Sequence, residues 1–102
     1  MNTMNAGTNI RQRAVILVPF PFSDLSTAKK RPALVVSNNK FNKNNEDVIC
    51  CSITSNLKDA QPGIHITNNE METGVLKFES KIKPYRLFTV IKNIIYKILG
   101  RL

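Results

Sequence analysis

The stretch Lys29-Lys30-Arg31-Pro32-Ala33-Leu34-Val35-Val36-Ser37 decides how this 102-residue chain is to be read. Three cations meet a proline, and a β-branched apolar run starts at once. The proline holds Arg31 in extended backbone geometry. The residues after it read as a buried strand that ends at Ser37-Asn38-Asn39. An arginine at the mouth of a strand aims a fixed, always-charged fork at one spot. Further on, Asp47-Val48-Ile49-Cys50-Cys51-Ser52-Ile53-Thr54-Ser55-Asn56 repeats the arrangement, an apolar strand closing in hydroxyls and an amide. Arg31 and Thr54 are the candidate site.

Outward from these two strands the chain is punctuated by turns. Residues 1–9 are polar and Asn-rich, an expected frayed N-terminus, and 10–102 read as one domain. Ala14 to Phe20 is a first strand that Pro19 and Pro21 bring to an end. Ser23 to Lys30 is a polar connection placed to act as a lid beside Arg31. Asn39 to Glu46 reads as a loop with one helical turn, Phe41 its only apolar anchor. Ile64-His65-Ile66 is a short strand, and Leu76 with Phe78 starts another pairing segment. Ser80 to Lys83 and Arg86 to Val90 read as two pieces divided by Pro84. At the end, Ile91, Ile94, Ile95, Ile98, Leu99 and Leu102 recur at three- and four-residue steps, which predicts a short amphipathic helix capped by Gly100. The sum is a mainly β fold with a short C-terminal helix, a small bent sheet or barrel.

Composition narrows the partners. Lys and Arg number 15 against 7 acids, a formal charge of +8. Such a balance attracts polyanions, RNA or DNA first and acidic protein segments second. From Lys81 to Leu102 there are six cations and no acid. Cys50 and Cys51 are adjacent and would point to opposite faces of a strand, so they suggest neither a disulfide nor a metal site. Reduced thiols as small core residues fit a cytoplasmic location. No apolar run approaches the ~18 residues of a membrane span, and no signal segment opens the chain. No metal or cofactor is expected.

Several pieces taken together resemble a known family. Val18-Pro19-Phe20-Pro21-Phe22-Ser23-Asp24-Leu25-Ser26, Lys30-Arg31-Pro32-Ala33-Leu34-Val35, Ile53-Thr54-Ser55-Asn56, Leu87-Phe88-Thr89-Val90 and Leu99-Gly100-Arg101-Leu102 stand in the order and spacing of the MazF/PemK toxins of toxin–antitoxin modules. The resemblance implies the SH3-like small barrel of CcdB, MazF and PemK toxins, a homodimer, and metal-independent cutting of single-stranded RNA to 2′,3′-cyclic phosphate and 5′-hydroxyl ends. It also implies a cognate acidic antitoxin as partner, with DNA met only through that antitoxin. Residue by residue it puts the catalytic arginine on Arg31 and the threonine on Thr54. The expected RNA contacts are Lys29, Lys30, Phe20, Phe22, Ser55, Asn56, Lys83, Tyr85 and Arg86.

There are departures from the family pattern. Gln12-Arg13 stands where members have Gly-Asp, Lys83-Pro84 where they have Arg-Pro, and Ile91 where they have an acid. Members also continue past Leu99-Gly100-Arg101-Leu102 into a final helix, which bears on dimer packing and activity.

Chemically, Arg31 suits stabilisation of the phosphorane's extra charge, because a preorganised cation in a dry groove is among the largest catalytic effects. Arginine is ill suited to moving protons near neutrality. Thr54 would hold a phosphate oxygen and fix the in-line geometry. His65 carries the one imidazole, the side chain that titrates near neutrality, yet between two isoleucines it reads as solvated or structurally bonded. Plainer readings stand beside these. The Lys29–Arg31 cations also suit a soluble turn, Phe20 and Phe22 suit packing, and Ser55 and Asn56 suit turn capping. Two other functions fit as well: a gyrase-poisoning toxin of the CcdB kind acting through its C-terminus, or a truncated member that binds RNA or antitoxin without cutting.

Overall fold

Seven antiparallel strands form one curled sheet in the computed structural model, which describes residues 9–20 and 29–102, with Phe20 in backbone only. The strands are β1 (Ala14–Phe20), β2 (Lys29–Val35), β3 (Asp47–Thr54), β4 (Ile64–Ile66), β5 (Thr73–Gly74), β6 (Ser80–Ile91) and β7 (Lys97–Arg101). Their order across the sheet is β4-β6-β3-β2-β1-β7-β5. One short helix, α1 (Asn39–Asn44), and 3-10 turns at Asn68–Glu70 and Lys92–Ile94 complete the described chain. The mainly β half-barrel agrees with the reading of the sequence. The frayed N-terminus through Thr8 and the Ser23–Lys30 lid, up to Ala28, lie outside the described residues.

The sheet is a wall between two apolar clusters. Ala14, Ile16, Val18, Ala33, Val35, Val48, Cys50 and Val90 pack on one face, with Ile95 against them. Val15, Cys51, Ile53, Ile66, Leu76 and Ile82 pack on the other. The alternation follows from the period of two in a strand. It sends the adjacent cysteines to opposite faces, both buried and free. Burial pushes the Cys50 thiol up to about 12, with Cys51 adding to the shift, and raises Cys51 too.

An unfolded thiol ionises near the ordinary value of 9.0. Between the two values the folded chain binds more protons, so this contribution to stability is whole below about pH 9 and is lost as pH climbs toward 12. Urea midpoints measured across that window should fall with pH. In the double variant Cys50→Ala/Cys51→Ala this part of the slope should vanish.

Four local expectations are corrected. The C-terminal helix is absent. Residues 92–94 make a single 3-10 turn, and Lys97–Arg101 is a strand paired with β1, Ile16 facing Ile98 and Ala14 facing Arg101. The helical stripe is not the buried set either: Ile91 and Ile94 are about half exposed, whereas Ile95 is fully buried. The edge of β1 needs hydrogen-bond partners, and that need outweighs a short helical period among β-branched residues. Gly100 accordingly caps nothing. It faces Gly74 across the β5–β7 pair.

The second correction concerns the anchor of Asn39 to Glu46, where the expected helical turn forms. Asn38 caps it by accepting from the Phe41 N–H at 2.8 Å. Its buried anchor is Asn42, with Phe41 only half-buried. The Asn42 side chain exchanges hydrogen bonds with Ser37, and its carbonyl accepts from the buried Lys92 ammonium. Third, Leu76 and Phe78 lie outside the strands, and the pairing segment is Thr73–Gly74 instead. Pro84 divides β6 less than expected. The strand is continuous, but its pairing with β3 jumps from Cys51↔Leu87 to Ser52↔Lys83, so Pro84, Tyr85 and Arg86 bulge out of register.

Candidate active site

Arg31 and Thr54 come to the same end of neighbouring strands. The β2–β3 register runs Val35↔Cys50, Leu34↔Cys51, Ala33↔Ser52. Pro32 has no N–H to give, and the ladder lapses there. The same register carried two residues further sets Arg31 across from Thr54, and opposed residues in an antiparallel pair leave the same face. Arg31 is exposed and Thr54 half-buried. The Thr54 Oγ1 accepts from the Asn56 N–H at 3.0 Å, and the Asn56 side chain accepts from the Lys58 N–H at 3.2 Å. These short-range bonds fix the turn leaving β3.

Beside them lies a cleft of about 540 Å³. Lys29, Lys30, Arg31, Lys77 and Lys97 line it, and among the described residues no carboxylate does. Ser55 is among its lining residues and Thr54 is not. The cations come from two strand ends and a loop. Lys30 is steered by Tyr96, its ammonium 4.4 Å from the ring centroid. Positive charge gathered in a concave wall focuses its field on polyanions.

The other expected contacts are distributed differently. Lys83 turns inward: it is nearly buried and ion-paired with Asp59, whose carboxyl it holds below the usual range. Lys81, opposite Thr54 on β6, donates to the Asp59 and Gln61 carbonyls at 2.5 and 2.7 Å. The two lysines thus tie the 56–62 loop to β6 rather than meeting a ligand. Tyr85 and Arg86 are exposed in the β6 bulge, outside the cleft, and Asn56 is spent on its turn. His65 on β4 is paired with Glu79 at 2.5 Å, and neither is among the residues lining the cleft. Phe22 and the side chain of Phe20 lie outside the described residues. Among those residues no cluster of His, Cys, Asp or Glu could hold a metal ion, and no helix is long and apolar enough to cross a membrane.

Sequence reasoning missed Lys77, Phe78, Ser80 and Lys97 as lining residues. The acid-free run from Lys81 to Leu102 pointed to Lys97, and no signal in the sequence pointed to the other three.

The curled antiparallel half-barrel is the fold of a class of toxins. The chain belongs to the family of PemK-like, MazF-like toxins of type II toxin–antitoxin systems, whose family model matches residues 11–102. No curated protein matches the sequence. Among solved structures it is similar to an endoribonuclease from a mycobacterial species in complex with its cognate antitoxin, at 17% identity and a TM-score of 0.69, covering 93% of this chain and 78% of that one. It is similar also to a second mycobacterial endoribonuclease, at 18% identity and a TM-score of 0.63, covering 93% and 77%. At these identities the likeness is one of fold.

Proposed function

We propose that the chain is an endoribonuclease toxin that cuts single-stranded RNA in its cationic cleft, with Arg31 and Thr54 catalytic. The observation that carries this reading is the gathering of Arg31, Ser55 and four lysines along one cleft with no acid among its described lining, next to Thr54 at the end of β3. Single-stranded RNA supplies what the cleft lacks, a flexible chain of phosphates with splayed bases. In this mechanism a ribose 2′-hydroxyl attacks its own 3′-phosphorus, the P–O5′ bond breaks, and a 2′,3′-cyclic phosphate and a 5′-hydroxyl result. Arg31 stabilises the charge that builds on the phosphorane oxygens, and Thr54 orients one of them. The Ser55 hydroxyl, which lines the cleft, is placed to hold the adjoining phosphate. Lys29 and Lys30 draw the strand in.

The same charge suits a cognate acidic antitoxin lying over the cleft, with DNA reached only through it, and the setting is cytoplasmic. A homodimer finds support in β6. Beyond Ile82 its outer edge has no strand partner among the described residues, and Leu87, Ile91 and Ile94 stand exposed along that end. The closing experiment is incubation with a long single-stranded RNA in EDTA, followed by end mapping. Cyclic phosphate and 5′-hydroxyl ends at a few sequence-defined sites are expected. Intact RNA beside gyrase-dependent DNA breaks would select a gyrase poison instead.

A further inference from the structure

Phe78 is a large aromatic left 59% exposed on a segment that is otherwise firmly held. Two residues before it, Leu76 is buried at 4%. Both backbone groups of Leu76 are clamped by one side chain: Asn68 Oδ1 accepts from the Leu76 N–H at 2.6 Å, and Asn68 Nδ2 donates to the Leu76 carbonyl at 3.0 Å. Asn68 is itself set in a 3-10 turn whose Thr67 and Glu70 form a reciprocal capping box. On the other side the Phe78 carbonyl accepts from the Ser80 hydroxyl at 2.8 Å. The ring is therefore presented by its surroundings, not stranded on a loose loop. It opens into the same cleft as Arg31 and Ser55, and the Lys77 ammonium stands 5.6 Å from its centroid.

We propose that Phe78 is a stacking platform for one unpaired nucleobase of the RNA, with Lys77 holding the phosphate of the same nucleotide. The inference rests on the ribonuclease reading and adds a substrate-binding residue to it. The physical case is one of cost and fit. An aromatic face kept in water is poor surface for folding, and fixing its backbone in advance removes the ordering cost of binding. Every base offers a π-face, so an exposed ring in a phosphate-attracting cleft is matched by a base more fully than by a peptide side chain. The cleft's charge rules against an apolar occupant, since five cations would lose water with nothing negative in return.

The test uses the full chain and a pool of short random-sequence 2′-O-methyl oligonucleotides, which cannot be cut, each carrying one central 2-aminopurine. Wild type should bind and quench the probe. Phe78→Ala should bind about ten- to a hundredfold more weakly without quenching, as expected for one lost base–aromatic stack. Phe78→Leu should behave as the alanine variant and Phe78→Trp as wild type, which separates stacking from apolar bulk. With an abasic site in place of 2-aminopurine, wild type and Phe78→Ala should bind alike. Equal binding and quenching by wild type and Phe78→Ala would overturn the stacking role while leaving the nuclease reading intact. A wild type that binds no oligonucleotide removes both. Phe78-dependent binding of an acidic peptide but not of the oligonucleotides would assign the ring to a protein partner.

Discussion

Arg31→Ala should lower the rate of RNA cleavage by about a hundred- to a thousandfold, the usual cost of removing a preorganised donor to a developing oxyanion. Its urea midpoint should stay at the wild-type value. The two halves belong together: Arg31 is an exposed strand-end residue outside both apolar clusters, so its removal leaves no cavity. Arg31→Lys is the sharper comparison. A lysine keeps the charge and loses the two-pronged geometry that spans two phosphate oxygens. RNA binding should therefore survive in that variant, with a similar dependence on salt, while the cleavage step stays slow. Single-turnover kinetics separates the two effects. Undiminished cutting by Arg31→Ala would remove the guanidinium from the mechanism and leave the lysines as a binding surface for some other chemistry.

Gly74→Ala should cost at least about 2 kcal/mol and bring the thermal midpoint down by roughly 10 °C. Gly74 has φ +77, a left-handed value that an alanine adopts at a penalty. A Cβ there would also stand 2.0 Å from the Leu99 carbonyl oxygen and 2.5 Å from the Gly100 Cα. The obstacle is backbone, so no side chain can rotate away. Gly100 is the mirror case, its Cβ position lying 2.1 Å from the Thr73 carbonyl oxygen. The two glycines let β5 press onto β7, and the loop that follows β5 delivers Leu76 to the core and Phe78 to the cleft. Gly74→Ala should accordingly weaken RNA binding as well, although it touches no ligand. Thr73→Ala, with its side chain exposed on the same strand, should change neither quantity by much. A Gly74→Ala midpoint equal to wild type would mean that β5 contributes nothing to holding the loop.

How much of this could be read beforehand differs from element to element. β2 and β3 were plain, because β-branched runs of period two bounded by Pro, Ser and Asn have few other solutions. With those strands placed, the meeting of Arg31 and Thr54 is a matter of register. The resemblance named the pair, and the strand pairing says why they are neighbours. The C-terminus misled. Ile94, Ile95 and Ile98 fit a helical stripe and a strand equally well, and only the unpaired edge of β1, which is not a local property, chooses between them. The cleft was largely hidden for a related reason. Its wall is gathered from Leu17, Lys29–Pro32, Ser55, Leu76–Phe78 with Ser80, and Lys97 with Leu99, five stretches that no short motif joins. Lys83 was misplaced because its partner Asp59 lies 24 residues away in sequence and becomes visible only when the loop folds back on β6.

The sheet that divides two apolar clusters has a further consequence. Since β3 feeds Cys50 to one and Cys51 to the other, sliding it by a single position would deliver every one of its side chains to the wrong compartment. Neither compartment can then be filled correctly while the other is in error. Loss of order on one side should spread to the opposite side through β3, and the molecule should melt in a single step whichever face is damaged first.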